Sequence, residues 1–330
     1  MTQQDASGDD GELVGVAPAR LPDFFIVGHA KSGTTALFEM LRAHPQIFMP
    51  ALKETRFFAR DLHPGLARSQ AHPATLEDYL ALFAPAGPGQ RAGEASPSYL
   101  RSHTAAARIA EMQPQARIVA IFREPVSFLR SLHLQLLESH VESERDFGAA
   151  LDLEAERRRE RERNGSPLEQ GLLYSEHVRY TEQLQRFHAV FAPEQVLVLI
   201  YDDFRADNEA TVRRVLRFLD VEDSAAIAGA EANPTVRVRS PGAYGLFRSL
   251  YLGDGPLAGA AKTAIKLTTP RRLRRGGMAS VRRRLLTAPP AAEDAALARE
   301  LRRRYSGEVS AFGDYLGRDV GKLWGYDELD

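Results

Sequence analysis

The 330-residue chain contains no cysteine. That removes disulfides, thiolate metal ligands and a thiol nucleophile, and it fits a reducing compartment. No apolar run approaches the ~18 residues of a membrane-spanning helix. The first twelve residues hold four acids and no base, the opposite of a secretory signal. Residues 1–19 therefore read as a disordered tail, and the protein as cytoplasmic. Lysine is scarce, with five among 43 basic residues, so clusters of arginine partly reflect composition and carry little weight alone.

With 44% apolar and 26% charged residues, the chain has the make-up of an ordinary globular protein and is neither disordered nor fibrous. The net charge of -1 conceals an asymmetry. Residues 235–290 carry twelve Lys or Arg and one acid, Asp254, for a net +11, while the other 274 residues sum to -12.

Asp23–Val27 is a short aromatic and β-branched run that reads as a buried parallel strand. It passes directly into Gly28-His-Ala-Lys-Ser-Gly-Thr-Thr35, after which Leu37, Met40 and Leu41 recur at helical spacing until His44-Pro45. Arg117–Phe122 repeats the pattern, leading into Arg123-Glu-Pro and a helix with Phe128, Leu129, Leu132, Leu136 and Leu137 on one face. Val196–Ile200 reads as a third strand, between a helix over about 174–191 and another over about 208–219. Strands alternating with helices predict an α/β fold with a central parallel sheet flanked by helices. Residues 152–163, nearly all Glu and Arg, read as a solvated helix. Residues 20–234 are expected to form the core, 235–290 a basic lid or insertion, and 291–330 a C-terminal helix closing the same domain.

The turn after the first strand is built for an anion. A helix N-terminus offers unpaired N–H groups and a positive dipole end; Lys31 adds a point charge, Ser32, Thr34 and Thr35 add hydroxyls, and Gly33 lets backbone approach a ligand. A P-loop requires glycines six and one residues before the lysine, where this chain has Phe25 and Ala30. The Gly-x-Gly-x-x-Gly dinucleotide fingerprint is absent from the turn as well. The plain alternative is a threonine-capped strand-to-helix turn. At the end of the second strand, Arg123 is followed eight residues later by Ser131, and Pro125 starts the intervening helix. A guanidinium forks onto phosphate oxygens; the plain alternative is that Arg123 pairs with Glu124 or caps the strand.

Lys31-Ser-Gly-Thr-Thr35, together with Arg123 and Ser131, resembles the sulfotransferases that use 3′-phosphoadenosine 5′-phosphosulfate (PAPS). The resemblance implies that Lys31, Ser32, Gly33, Thr34 and Thr35 cradle the 5′-phosphosulfate and that Arg123 and Ser131 bind the 3′-phosphate. It extends over about residues 23–220. Leu52-Lys-Glu-Thr-Arg-Phe-Phe58 and Gly93-Glu-Ala-Ser-Pro-Ser-Tyr99 are similar to segments of the heparan-type and many bacterial members. Gly171-x-x-Tyr174 and Tyr201-Asp-Asp also fit. Ala95 stands where heparan-type relatives have a substrate-contacting lysine, which argues against a heparan-like acceptor.

In-line sulfuryl transfer needs a cation beside the leaving phosphate oxygen and a base for the acceptor proton. Lys31 is the expected cation, and Glu54 the expected base by its match to the heparan-type glutamate; its second reading is an ion pair with Lys53 or Arg56. Glu94 is the reserve base, and His29 a weaker candidate inside the loop. Relatives place a basic loop over the 3′-phosphate near Arg237 and Arg239, so Arg239 is carried over as a nucleotide contact. Tyr174 is a candidate for stacking on adenine, with a place in the core as its alternative. No metal is expected.

The basic segment interleaves apolar residues with Arg and Lys over 245–287. This pattern suits either a solvated surface, contact with an anionic membrane, or a lid over a glycan, lipid-like or small-molecule acceptor. Sparse aromatics speak against nucleic acid. The competing readings of the whole chain are a P-loop-type small-molecule kinase and a nucleotide-binding partner protein that has lost its base.

Overall fold

The computed structural model describes residues 20–62, 72–139, 141–164, 171–224, 237–238, 287–288 and 294–328. Its centre is a parallel sheet of five strands, β1 (Phe24–Gly28), β2 (Ile47–Phe48), β3 (Arg91–Ala95), β4 (Arg117–Phe122) and β5 (Val196–Ile200), in the order β2-β3-β1-β4-β5. All five residues of β1 are buried, as a strand covered on both faces requires. Alternate residues serve opposite faces: Phe24 and Ile26 enter one core, Phe25 and Val27 the other.

The first core lies under α1 (Thr34–Arg42), a short helix, α9 (Tyr201–Ala206), and α10 (Asn208–Phe218). The larger core gathers α2 (Leu76–Ala81), α3 (Ala105–Met112), α4 (Pro125–Glu138), α5 (Phe147–Asp152), α8 (Tyr180–His188) and α11 (Ala295–Leu316). The expected long helix over 174–191 is two helices, α7 (Tyr174–His177) and α8, with Val178 and Arg179 between them. The Glu/Arg-rich stretch is α6 (Glu154–Asn164), but it is not wholly solvated. Arg157 and Glu154 are buried, and Arg157 donates to Glu142 Oε1 at 2.8 Å.

The C-terminal part is knitted into the larger core. Phe312 of α11 lies 4.6 Å from Phe122 between ring centroids, and Trp324 of α12 (Val320–Trp324) stacks on Phe312 at an interplanar angle of 9°. The Trp324 indole N–H donates to Asp202 at 3.0 Å, Arg318 pairs with Asp203, and the Tyr326 hydroxyl donates to Glu124 at 2.9 Å. Two short strands, β6 (Arg237–Val238) and β7 (Thr287–Ala288), pair antiparallel. The rest of the basic segment, including Arg239 and 245–286, lies outside the described residues. No helix among the described residues is long and apolar enough to cross a membrane.

Candidate active site

The chain runs from β1 to β2 and β3 on one side of the sheet, then through β4 to β5 on the other, so β1 and β4 flank the switch in direction. Ligands of open α/β sheets bind in the crevice beyond the carboxyl ends of such strands. Lys31 follows β1 there and Arg123 follows β4. The two are joined, since Arg123 Nη1 donates to the Lys31 carbonyl at 2.8 Å. The Arg123 guanidinium also lies over the Tyr201 ring, 4.8 Å from its centroid. It does not pair with Glu124, whose carboxylate instead caps α4 by accepting from the Val126 and Ser127 amides.

The turn between β1 and α1 fits an anion. Gly33 is the N-cap of α1 at φ 87°, and no side chain caps the helix, so the threonine cap is not formed and the first-turn amides have no side-chain acceptor. Ser32 is fully buried and its hydroxyl has no hydrogen-bond partner among the described residues. Such a group needs a partner, and a phosphosulfate oxygen would supply one. A Cβ on Gly33 would sit 3.0 Å from the Phe204 ring, so the cradle is closed from behind. Burial draws the Lys31 ammonium below its ordinary pKa; the charge of Glu138 opposes this and that of Arg123 adds to it. Ser131 is buried two turns into α4.

His29 is not poised to take a proton from a substrate. Its ring is buried among Phe122, Phe128 and Tyr180, and burial lowers its pKa to about 3. Gln183 donates its amide to the Glu176 and His177 carbonyls. Its oxygen therefore faces His29 Nε2 at 2.9 Å, which assigns the proton of the neutral ring to Nε2.

Glu54 is placed from the next strand over. Its amide donates to the Ala95 carbonyl at 3.0 Å, and Ala95 is in register with Ile26 of β1. The Glu54 carboxylate is one-third exposed and held by Lys53 Nζ at 2.9 Å and Arg56 Nη2 at 2.8 Å, so both ion pairs anticipated from sequence are present. Burial pushes its pKa up, but Lys53 and Arg56 more than offset this and hold it below the ordinary carboxylate value. Four described non-glycine residues have left-handed backbone, and three of them are Lys31 (φ 66°), Glu54 (φ 61°) and Arg56 (φ 55°). Strain of this kind gathers at functional sites.

Tyr174 does not offer a face to adenine. It is fully buried, near His133 and Phe147, with its hydroxyl donating to Glu142 Oε2 at 3.1 Å and lying 2.8 Å from His133 Nδ1. Glu94 is also buried, at 1% exposure, out of reach of an acceptor. Sequence reasoning missed Tyr201, whose ring supports Arg123, and Ser96, whose hydroxyl joins Glu94 to the Arg56 amide. Neither residue type signals such a role without its three-dimensional partner.

A parallel α/β sheet with an uncapped helix N-terminus at its switch point has the architecture of the open α/β proteins that bind anionic ligands there. The Sulfotransferase family profile matches residues 22–225, and the chain belongs to that family. It is 36% identical over 119 residues to mouse heparan sulfate glucosamine 3-O-sulfotransferase 3A1, covering 36% of this chain and 27% of that protein. It is 28% identical over 258 residues to mouse carbohydrate sulfotransferase 15, covering 61% and 44%. The matches thus span from about a quarter to under half the length of these curated relatives. A sulfotransferase from Alicyclobacillus acidocaldarius shares the fold, with a TM-score of 0.64 and 24% identity over 92% of this chain and 99% of that one.

Proposed function

We propose that this chain transfers the sulfuryl group of PAPS to a hydroxyl of a carbohydrate acceptor. The observation that carries the reading is the linked pair at the switch point, an uncapped cradle bearing Lys31 whose backbone is clamped by Arg123. PAPS supplies an activated sulfuryl group with a phosphate as leaving group. Lys31 meets the charge that develops on the leaving oxygen, a contribution of roughly 10² to 10³ in rate for one well-placed donor. The α1 amides and the Ser32, Thr34 and Thr35 hydroxyls orient the 5′ end; Arg123 and Ser131 hold the 3′-phosphate.

Glu54 takes the acceptor proton. Its ion pairs keep it deprotonated through the neutral range, ready as a base. Carbohydrate acceptors are favoured because the named relatives are carbohydrate sulfotransferases, while Ala95 directs the choice away from a heparan-like chain.

The test is transfer of ³⁵S from labelled PAPS to a panel of chondroitin, heparan and neutral oligosaccharides, with and without EDTA. Transfer to at least one glycan, unaffected by EDTA and slowed roughly 10²- to 10⁴-fold by Glu54→Gln, is expected. Unchanged turnover in Glu54→Gln would remove Glu54 from the mechanism, and transfer confined to phenols would overturn the acceptor class.

A further inference from the structure

Two glutamates lie at the end of β3, Glu94 in the strand and Glu54 bonded through its amide to Ala95, and only Glu54 has a part in the transfer as proposed. Glu94 is in register with Phe25, whose ring packs on Phe58 and Tyr99, so its carboxyl points into the larger core. Its neighbours there are hydroxyls, those of Ser96, Thr55, Tyr99 and Tyr79. Ser96 Oγ donates to Glu94 Oε1 at 2.6 Å, while Oε2 has no partner among the described residues. A carboxyl buried at this cost is best explained by what it holds in place.

It holds the turn that carries Glu54. The Ser96 hydroxyl that donates to Glu94 accepts the Arg56 amide at 2.9 Å, and the Arg56 guanidinium donates to Glu54 Oε2 at 2.8 Å. Thr55 Oγ1 lies 3.1 Å from the Tyr99 hydroxyl. Glu54 and Arg56 both have left-handed backbone, which persists only where the surroundings over-determine it. Those surroundings are the Ala95 carbonyl and the Ser96 hydroxyl, contributed by the two residues after Glu94.

We propose that Glu94 is a positioning residue for Glu54: its buried carboxyl, acting through the Ser96 hydroxyl and the Arg56 amide, fixes the strained 54–56 turn and couples the proton affinity of Glu54 to a second charge. The inference rests on Glu54 being the base. When Glu94 is ionised it accepts a charge-assisted hydrogen bond from the Ser96 hydroxyl, which turns the lone pairs of Ser96 toward the Arg56 amide, and its charge strengthens Glu54 as a base. When Glu94 is protonated at the unpartnered Oε2, its charge is lost and Oε1 accepts from Ser96 more weakly. Burial raises its pKa to about 7, with Ser96, Tyr99 and Thr55 pulling it down and Glu54 pushing it up. Glu54 is the charged group that acts on it, itself paired with Lys53 and Arg56, and Arg108 of α3 lies over the ring of the neighbouring Phe58, 5.8 Å from its centroid.

The test is a ¹³C titration of protein labelled at the glutamate carboxyl carbons, with Glu54→Gln used to assign the Glu54 resonance; it needs no acceptor. The Glu54 carbon is expected to show two inflections, its own and a second near that of Glu94, with the second missing in Glu94→Gln. A single inflection in the wild type overturns the proposal even if Glu94→Gln does not fold. Turnover with any accepted glycan should rise with pH across the Glu94 titration in the wild type. Glu94→Gln should lack that rise and lose ~10- to 100-fold in kcat, and Ser96→Ala should lower kcat with KM for PAPS unchanged. A Glu94→Gln profile superimposable on the wild type overturns the proposal. Coupled inflections in a protein that sulfates no glycan would leave the positioning intact and sink the acceptor assignment.

Discussion

Lys31 and Arg123 are joined through the Lys31 peptide, and in the proposed site each depends on the other. The ammonium supplies charge, and the guanidinium fixes the peptide that presents it, through a bond to the Lys31 carbonyl. Arg123→Ala should therefore weaken binding of adenosine 3′,5′-bisphosphate by ~10- to 100-fold, as expected for loss of charge-assisted hydrogen bonds, measured by calorimetry; unchanged affinity would detach Arg123 from the nucleotide. The candidate cradle stands out in the sequence because its chemistry is local, with a lysine, a glycine and three hydroxyls in five consecutive residues. Tyr174 was not legible, since its place is decided by Glu142 and His133 from other elements. The paired state of Glu54 could be read as one of two options, yet the buried relay behind it could not, because Ser96 lies forty residues from Arg56.

Strands β1, β4 and β5 announce themselves as apolar runs, whereas β3 reads Arg-Ala-Gly-Glu-Ala and has no β-branched residue to mark it. The reason is packing. A Cβ at Gly93 would fall 2.1 Å from the Phe24 ring, and Glu94 is retained for what it holds. That retention has a cost with a definite sign. The carboxyl binds its proton more tightly in the folded chain, so its stabilising contribution is complete below the ordinary value of 4.5 and is lost as pH rises through about 7. Glu94→Gln removes this slope, and its stability relative to wild type should climb by ~1–3 kcal/mol between pH 5 and pH 8, measured by urea unfolding; parallel curves would show that Glu94 titrates normally. Gly33 sets the entry to α1 at φ 87° against Phe204. Gly33→Ala should cost ~1–3 kcal/mol in the same assay and displace the cradle, weakening nucleotide binding as well.

At the scale of the molecule, the sheet, the two cores and the return of the C-terminal helices make one packing unit. Phe312 is fully buried between Phe122, Tyr180 and Trp324. Phe312→Ala should lower stability by ~3–5 kcal/mol, and because Tyr180 donates to the Arg123 carbonyl it should also loosen the nucleotide end. The alternation of strand and helix made the fold class legible, but the docking of residues 295–324 was not. An amphipathic helix declares that it has an apolar face without saying which core receives it.

The ties from Arg318, Trp324 and Tyr326 to Asp203, Asp202 and Glu124 have a consequence for the order in which the protein comes into being. Each acid lies within two residues of Tyr201 or Arg123, and each waits for a partner encoded more than a hundred codons later. A nascent chain still on the ribosome at residue 290 has its cradle translated but the supports behind α9 and Arg123 missing. The site should thus mature only once residues 318–326 have emerged, and chains stalled at residue 290 should be cut by protease where the finished protein resists.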